Sequence, residues 1–148
     1  MFSYRLQKQR YAQLSGEGAR LAGGRWNSVG TPCIYTSVLT PMALLEYLGH
    51  MEDFGLMPAV PMVILKIDME NLRFASFGND QLPVGWERPM YSAEAQQLGD
   101  GILLKNDWDG LKIPSAILPN EENVVLNLRT QNWNERIVDR ISYHPYGT

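Results

Sequence analysis

The sequence is poor in metal-binding and disulfide-forming residues, with one cysteine and two histidines in 148 residues. Cys33 alone cannot form an internal disulfide, and such low cysteine usage is typical of a reducing compartment. We therefore expect a cytoplasmic protein. His50 and His144 lie far apart in the chain, and with a single cysteine they do not provide the ligand spacing of a zinc site. We expect no bound metal.

Long hydrophobic runs are also missing. No apolar stretch approaches the ~20 residues that a membrane span needs, and the opening MFSYRLQKQR has no apolar core of a signal peptide. We expect neither a membrane segment nor a leader. The chain likewise lacks a GxxxxGK[ST] phosphate loop, a GxGxxG turn after a strand and a GxSxG nucleophile elbow. These absences exclude the commonest nucleotide-binding and serine-hydrolase motifs.

The charge of the chain is unevenly distributed. The formal net charge is −3, but residues 1–30 carry +4 and the remainder carries −7. A cationic segment on an acidic protein suits a compact anion better than a long polyanion, because the rest of the chain repels nucleic acid. We therefore expect no direct nucleic-acid binding. A solvated basic edge is the alternative explanation of the same pattern.

The most distinctive segment is GEGARLAGGRWNSVGTPCIYTS at residues 16–37, in which five glycines surround two arginines. Glycine allows the backbone to approach a ligand closely and to adopt positive φ. An arginine in such a loop presents a planar fork of donors that matches phosphate or carboxylate. The segment indicates an anion-binding loop, and an ordinary surface loop is the alternative.

The hydrophobic pattern predicts one α+β domain over residues 1–148. Thr40 before Pro41 marks a helix that reaches about Glu52, with an apolar stripe of Leu44, Leu45, Leu48 and Met51. Ser92 caps a second helix over about 93–106. Residues 78–90 are expected to be loop. Strands are predicted at 2–6, 32–37, 60–68, 113–118, 123–128 and 137–144.

Five polar residues stand out as candidates for chemistry. They are Arg5 at the end of the first strand, Arg25 after two glycines, Tyr35 in the second strand, Glu46 on the flank of the first helix and Ser115 inside an apolar strand. Each also has an ordinary structural explanation. Composition and periodicity do not by themselves assemble these residues into one site.

Several segments together resemble the RES domain, the toxin half of bacterial toxin–antitoxin pairs whose antitoxin is an Xre-type repressor. The likeness rests on YRL near the start, on the whole segment LSGEGARLAGGRWNSVGTPCIYTS, on ALLEYLGH at 43–50, on LGD at 98–100 and on IPSAILPNEENVVLNL at 113–128. It covers nearly the whole chain. The resemblance implies an α+β fold like that of the ADP-ribosyltransferases, with a split β-sheet and a few helices around an NAD cleft.

The resemblance also implies which residues form the site. The arginine, glutamate and serine that give the domain its name correspond to Arg25, Glu46 and Ser115. Arg5 and Tyr35 fall where the family places ligand-contacting residues, and Asn127 corresponds to the asparagine of an LLNP-like segment. This chain departs from that pattern at LNLRT, where Leu128 replaces the usual proline and the nearby histidine is missing.

The activity implied is cleavage of the nicotinamide–ribose bond of NAD, which is the substrate. Arg5 and Arg25 are suited to the pyrophosphate. The Glu46 carboxylate is suited to the oxocarbenium-like state that cleavage at C1′ passes through. Tyr35 is expected to stack on nicotinamide or hold the ribose, and Ser115 to hydrogen-bond Glu46 or a ribose hydroxyl. No step needs a metal.

Three functions stay open at this point. The leading one is a toxin that passes ADP-ribose to water or phosphate, depletes NAD and arrests growth. A mono-ADP-ribosyltransferase that modifies a host protein needs the same residues. A non-enzymatic nucleic-acid-binding module is the third, and the acidic remainder of the chain disfavours it. The implied partner is an Xre-type antitoxin that occludes the NAD cleft in a hetero-oligomer.

Overall fold

The computed structural model describes residues 1–11, 13–49 and 59–144. Within these ranges the chain forms seven strands and three α-helices. The strands are β1 (Phe2–Lys8), β2 (Cys33–Ser37), β3 (Met62–Asp68), β4 (Phe74–Ser76), β5 (Gly110–Pro114), β6 (Glu122–Asn127) and β7 (Ile137–Tyr143). The helices are α1 (Glu17–Ala22), α2 (Thr40–Gly49) and α3 (Ala93–Leu103).

The strands are hydrogen-bonded in the order β4-β5-β6-β2-β1-β3-β7. Only β4 and β5 are parallel, and every other neighbouring pair is antiparallel. The long crossover from β2 to β3 carries α2, which packs across β1 and β2. The crossover from β4 to β5 carries α3.

The sheet is split between its two central strands. β1 pairs with β3 along its whole length, from Phe2 opposite Asp68 to Lys8 opposite Met62. In contrast, β1 and β2 share a single register pair, Tyr4 opposite Ser37. The two strands therefore diverge immediately after this pair. The expected α+β fold with a split sheet is confirmed.

Apolar residues cover both faces of the sheet, which explains the unbroken hydrophobic run in β6. Val124 and Leu126 belong to a cluster with Ile34 and Trp133, whereas Val125 belongs to a cluster with residues of α3. Because successive strand residues point to opposite faces, a strand covered on both sides has to be apolar at nearly every position. A third, smaller cluster forms beneath α2 around Leu6, Ala43 and Met62.

Several predicted element boundaries are wrong. β5 ends at Pro114, so Ser115 follows the strand instead of lying inside it, because the Ser115 hydroxyl accepts hydrogen bonds from the next turn. α3 ends at Leu103, three residues early, because Leu104 leaves the helical conformation at φ −95°, ψ 3°. The short edge strand β4 was not predicted, and its three residues carry too little pattern to reveal a strand.

The predicted apolar stripe of α2 is also wrong in detail. The buried side chains are Met42 and Ala43, and Leu44 and Tyr47 pack against the third cluster. Nearly every residue of this helix is apolar, so periodicity alone does not single out the buried face. Met51, Glu52 and His50 lie outside the described residues. None of the described helices is both long and apolar enough to span a bilayer.

A close backbone contact joins α3 to the glycine-rich segment. A Cβ added to Gly99 would lie 1.7 Å from the carbonyl oxygen of Trp26. Only glycine therefore allows the helix to pack directly against the backbone of this segment. Gly101, two residues further along the same helix, has no atom within 4 Å of the equivalent position.

These two glycines provide a matched pair of substitutions. Gly99→Ala should lower the free energy of unfolding by at least ~1–3 kcal/mol, because the helix or the Trp26 backbone has to shift. Gly101→Ala should be neutral or stabilising by up to ~1 kcal/mol, because alanine favours the helix. Urea denaturation of both variants checks this. Equal stability of the two would show that the Gly99 contact is not restrictive.

Candidate functional site

The carboxylate of Glu46 is held by two donors from different parts of the sheet. Its Oε1 accepts a hydrogen bond of 2.6 Å from Ser115 Oγ and one of 2.8 Å from Asn123 Nδ2. Within the described ranges no hydrogen bond or ion pair reaches Oε2. One oxygen is thus committed to the protein, and the other is available to a ligand.

Ser115 is fully buried and uses all of its hydrogen-bonding capacity. Its Oγ accepts from the backbone N–H of Ile117 at 3.0 Å and of Leu118 at 3.1 Å. Since both lone pairs are used, the hydroxyl hydrogen is directed to Glu46. The turn that ends β5 therefore fixes Ser115 as a donor to the carboxylate.

Asn123 lies in β6 between β2 and β5, opposite Ser37 on one side and Ile113 on the other. The Ser37 hydroxyl donates to Asn123 Oδ1 at 3.0 Å. The side-chain amide is therefore oriented with its oxygen toward Ser37 and its nitrogen toward Glu46. Both neighbouring strands hold the backbone of Asn123 in place.

Arg5 lies in the middle of β1, not at its end as predicted, because β1 stays paired with β3 as far as Lys8. Its Nη1 donates to the carbonyl oxygen of Tyr35 and its Nε to Gln7 Oε1, both at 2.9 Å. The bond to Tyr35 joins β1 to β2 where the strands diverge, and the bond to Gln7 lies within β1. Burial lowers the pKa of Arg5, and no carboxylate of the described chain pairs with it.

Tyr35 anchors the glycine-rich segment to β2. Its hydroxyl donates to Asn27 Oδ1 at 2.6 Å and accepts the backbone N–H of Trp26 at 3.0 Å. Burial raises the pKa of Tyr35 well above its usual range. Gly24 lies against this hydroxyl, since a Cβ there would come within 2.6 Å of the Tyr35 oxygen. Packing therefore requires glycine at position 24, whereas Gly23 is favoured by its positive φ of 72°.

Residues along α3 hold the same segment from the other side. Gln96 Nε2 donates to the carbonyl oxygen of Gly24 at 2.9 Å. Asp100 accepts the Ser28 backbone N–H at 3.1 Å and the Ser28 hydroxyl at 2.5 Å. Together with the Gly99 contact, these bonds explain the LGD residues in structural terms.

Arg25 projects from this docked segment beneath residues 86–91. Its Nη1 donates to the carbonyl oxygens of Trp86 at 2.6 Å and of Arg88 at 2.7 Å, and its guanidinium lies 5.1 Å from the centre of the Tyr91 ring. All three contacts are with uncharged groups. In the described part of the chain the one ion pair joins Arg20 to Glu17, so the charge of Arg25 has no carboxylate partner there.

Asn127 does not join this group. It is fully buried, its Nδ2 donates to the carbonyl oxygens of Lys105 and Trp108, and its Oδ1 accepts the N–H of Arg129. Asn127 lies four positions further along β6 than Asn123, which corresponds to about 13 Å. Asn127 ties the turn after α3 to the end of β6. Leu128, the departure from the family pattern, packs against the cluster around Ile34.

β2 connects the two parts of the site. Tyr35 organises the arginines, and Ser37, two residues later on the same face and roughly 7 Å away, organises the Glu46 carboxylate. The structure therefore brings Arg5, Tyr35, Glu46 and Ser115 to adjoining positions of the split. Sequence reasoning missed the contributions of Ser37 and Asn123. An asparagine at each end of an otherwise apolar strand was the available signal.

The split sheet and the fixed carboxylate define an α+β protein with a partly buried glutamate and two arginines that have no carboxylate partner within the described ranges. The chain belongs to the RES domain family, because residues 3–145 match the sequence model of that family. Among the residues described, no group of three or more His, Cys, Asp or Glu side chains is placed to hold a metal ion.

Named relatives cover most of the chain. The protein Toxin Res of Photorhabdus laumondii is 34% identical over 139 residues, which cover 93% of this chain and 88% of that protein. The Prs ADP-ribosylating toxin of a Sphingobium species is 32% identical over 115 residues, which cover 77% and 71%. A chain in the crystal structure of the M. tuberculosis MbcT–MbcA toxin–antitoxin complex matches with a TM-score of 0.80 at 20% identity, covering 98% of this chain and 85% of that one. This last likeness shows a shared fold.

The arginine geometry predicts binding of a diphosphate, for which ADP-ribose is a suitable probe. Arg25→Ala should reduce ADP-ribose affinity by about 10²-fold or more, because the lost interactions with the diphosphate are charge-assisted. Arg25→Lys should recover only part, since an ammonium cannot form the forked contact. Calorimetric titration measures both, with Arg140→Ala on the exposed strand β7 as the control. Undiminished affinity in the lysine variant would contradict the forked contact.

Proposed function

We propose that this protein is the toxin of a toxin–antitoxin pair and that it cleaves the nicotinamide–ribose bond of NAD, passing ADP-ribose to water or phosphate. The observation that carries the proposal is the Glu46 carboxylate, held through Oε1 by Ser115 and Asn123, whereas Oε2 has no hydrogen-bond partner among the described residues. The relatives named as toxins support the biological role.

The reaction breaks the bond between ribose C1′ and the ring nitrogen of nicotinamide. The bonding electrons go to the nitrogen, which loses its positive charge, and positive charge develops on C1′ and the ring oxygen of the ribose. A fixed carboxylate near this carbon stabilises that charge without having to reorganise. Water or phosphate then bonds to C1′ through oxygen, and with water a proton is released. We assign the stabilising role to Glu46.

Arg5 and Arg25 are assigned to the pyrophosphate. Arg25 uses Nη1 for two carbonyl oxygens, and its Nε and Nη2 have no hydrogen-bond partner in the described ranges. Arg5 likewise keeps Nη2 free of described partners. The charge of an arginine that is held only by neutral groups is not compensated within the protein, so it can attract an anionic ligand. The charge of an arginine in an ion pair is already compensated by its carboxylate partner.

Ser115 and Tyr35 complete the proposed site in different ways. Ser115 directs its hydroxyl hydrogen to Glu46, which favours a role in orienting the carboxylate over a contact with the ribose. The Tyr35 hydroxyl is engaged by Trp26 and Asn27, so the ring, not the hydroxyl, is the part available to nicotinamide. We do not assign a substrate contact to Asn127, because its side-chain amide is buried and satisfied within the protein.

A mono-ADP-ribosyltransferase is the second candidate, favoured by the relative from Sphingobium that is named as an ADP-ribosylating toxin. Both candidates need the same bond cleavage and differ in the acceptor. NAD labelled in the adenylate phosphate separates them. Free labelled ADP-ribose or its phosphorylated form supports the first candidate, and label retained on protein after denaturation supports the second.

Glu46→Gln tests the assignment of the carboxylate. Glutamine keeps an Oε1 that accepts from Ser115 and Asn123, so stability should change by less than about 1 kcal/mol while the charge is lost. We expect kcat for nicotinamide release to fall by ~10²–10⁴-fold with KM nearly unchanged, because the interaction strengthens in the transition state. Chromatographic assay of nicotinamide measures this.

Glu94→Gln is the matched control for this variant, because Glu94 is exposed in the first turn of α3. It should retain wild-type kcat. Folded Glu46→Gln protein that turns over NAD at the wild-type rate would remove the catalytic assignment and most of the mechanism with it.

The proposed antitoxin, of Xre type, is expected to act by covering the NAD site within a hetero-oligomer. The arginines that attract pyrophosphate also attract an acidic side chain or a terminal carboxylate of the partner. Arg25→Ala should therefore weaken antitoxin affinity by about tenfold or more, as measured by surface plasmon resonance, whereas Arg140→Ala should not. Equal affinity of wild type and Arg25→Ala would place the neutralising contact elsewhere.

A further inference from the structure

We propose that Asn123, held by Ser37, is a positioning residue that presents Oε2 of Glu46 to the substrate. The inference rests on the proposed function and extends it to two residues outside the arginine, glutamate and serine that give the domain its name. Two donors occupy Oε1 of the carboxylate, and Oε2 is thereby held in a single, defined direction.

The two donors act from opposite sides of a strand pair. Ser115 follows β5 and Asn123 lies in β6, and these strands are antiparallel neighbours. A glutamate side chain on a helix has three rotatable bonds, and one hydrogen bond leaves the carboxylate free to turn about it. Two donors, one in β6 and one in the turn after β5, remove that freedom. The nearby serine alone is insufficient for a fixed orientation.

The Glu46 carboxylate determines which end of the Asn123 amide faces it, because an ionised carboxylate only accepts hydrogen bonds. A flipped amide would place Oδ1 against the negatively charged Oε1. Ser37 holds the other end of the amide: its hydroxyl donates to Asn123 Oδ1 at 3.0 Å, and Ser37 is 2% exposed, so water does not replace it readily. Asn123 is therefore held between Ser37 and Glu46 in one orientation.

The cost of this arrangement argues that it has a purpose beyond stability. Asn123 precedes Val124, Val125 and Leu126, three fully buried apolar residues of the same strand. Asn123 itself is partly buried, so its amide has to find hydrogen-bond partners in place of part of its water, a requirement that an apolar side chain would avoid. Here the Asn123 amide nitrogen donates to Glu46, the carboxylate to which the proposed mechanism assigns the stabilising role.

Other titratable groups on the surrounding elements do not take part in this arrangement. No described hydrogen bond or ion pair joins either Asn123 or Glu46 to any of them. They are Arg5 on β1, Cys33 and Tyr35 on β2, Tyr47 on α2, Lys112 on β5, and Glu121 and Glu122 at the start of β6.

The pH profile of kcat in Asn123→Asp tests the positioning role, because a purely structural role of Asn123 would not change the shape of that profile. The new carboxyl has nearly the same shape, but it donates to Glu46 only while protonated, and the neighbouring carboxylate favours its protonated form. We expect kcat to acquire a falling limb toward alkaline pH that wild type lacks. At the alkaline end of the profile the loss should reach ~10–100-fold, and activity should recover on the acidic side.

Asn120→Asp is the matched control, because Asn120 is exposed, has no described side-chain hydrogen bond and adds the same charge three residues away. Its pH profile should follow wild type. Asn123→Ala should lower kcat by ~10–100-fold with KM within about twofold, and Ser37→Ala should produce a smaller loss of the same kind. Melting temperatures of all variants, measured without substrate, separate lost positioning from lost folding.

The outcomes distinguish this inference from the proposed function. Wild-type protein that releases no nicotinamide from NAD would overturn both. Active wild type together with an Asn123→Asp profile parallel to that of wild type would overturn the positioning role alone. A lower melting temperature without any change in the shape of the pH profile would likewise reduce Asn123 to a structural residue. An added alkaline limb in Asn123→Asp, absent from Asn120→Asp, supports the inference.

Discussion

The loss of pairing between β1 and β2 is the constraint on which the rest of this structure depends. After Tyr4 and Ser37 the strands diverge, and backbone groups that would bond across a continuous sheet need other partners. Arg5 supplies one by donating to the Tyr35 carbonyl oxygen. The Arg5 side chain therefore takes the place of a strand-to-strand hydrogen bond where β1 and β2 diverge. The helix α2, which carries Glu46, packs across the same two strands.

Neutral groups hold the charged residues of the candidate site. The arginines are held by carbonyl oxygens, an amide oxygen and a tyrosine ring, and the glutamate is held by a hydroxyl and an amide. Neutral partners orient a charged group without cancelling it, whereas an ion pair would do both. Among the described residues, the two arginines and the glutamate therefore keep their charges for a ligand that carries the opposite charge.

Much of the fold was predictable from local pattern. The strands at 2–6, 32–37, 60–68, 123–128 and 137–144 are confirmed, because runs of β-branched and apolar residues are a strong local signal. The prediction for 113–118 was half wrong, since Ser115 forms a turn through its hydroxyl, and hydrophobicity does not report such a bond. The stripe of α2 was mistaken because a helix with almost no polar residues has no distinct apolar face.

The sequence by itself determined the class of fold, the glycine positions that allow close backbone contacts, and, through its likeness to the RES domain, the identity of the main site residues. Only the tertiary structure decided how they meet. Ser37 and Asn123 are 86 positions apart, and Glu46 and Ser115 are 69 apart, so no local pattern relates them. The physical reason is that strand register, not sequence spacing, sets these contacts. For the same reason Asn123 reaches Glu46, whereas Asn127 at the other end of β6 is buried against a turn.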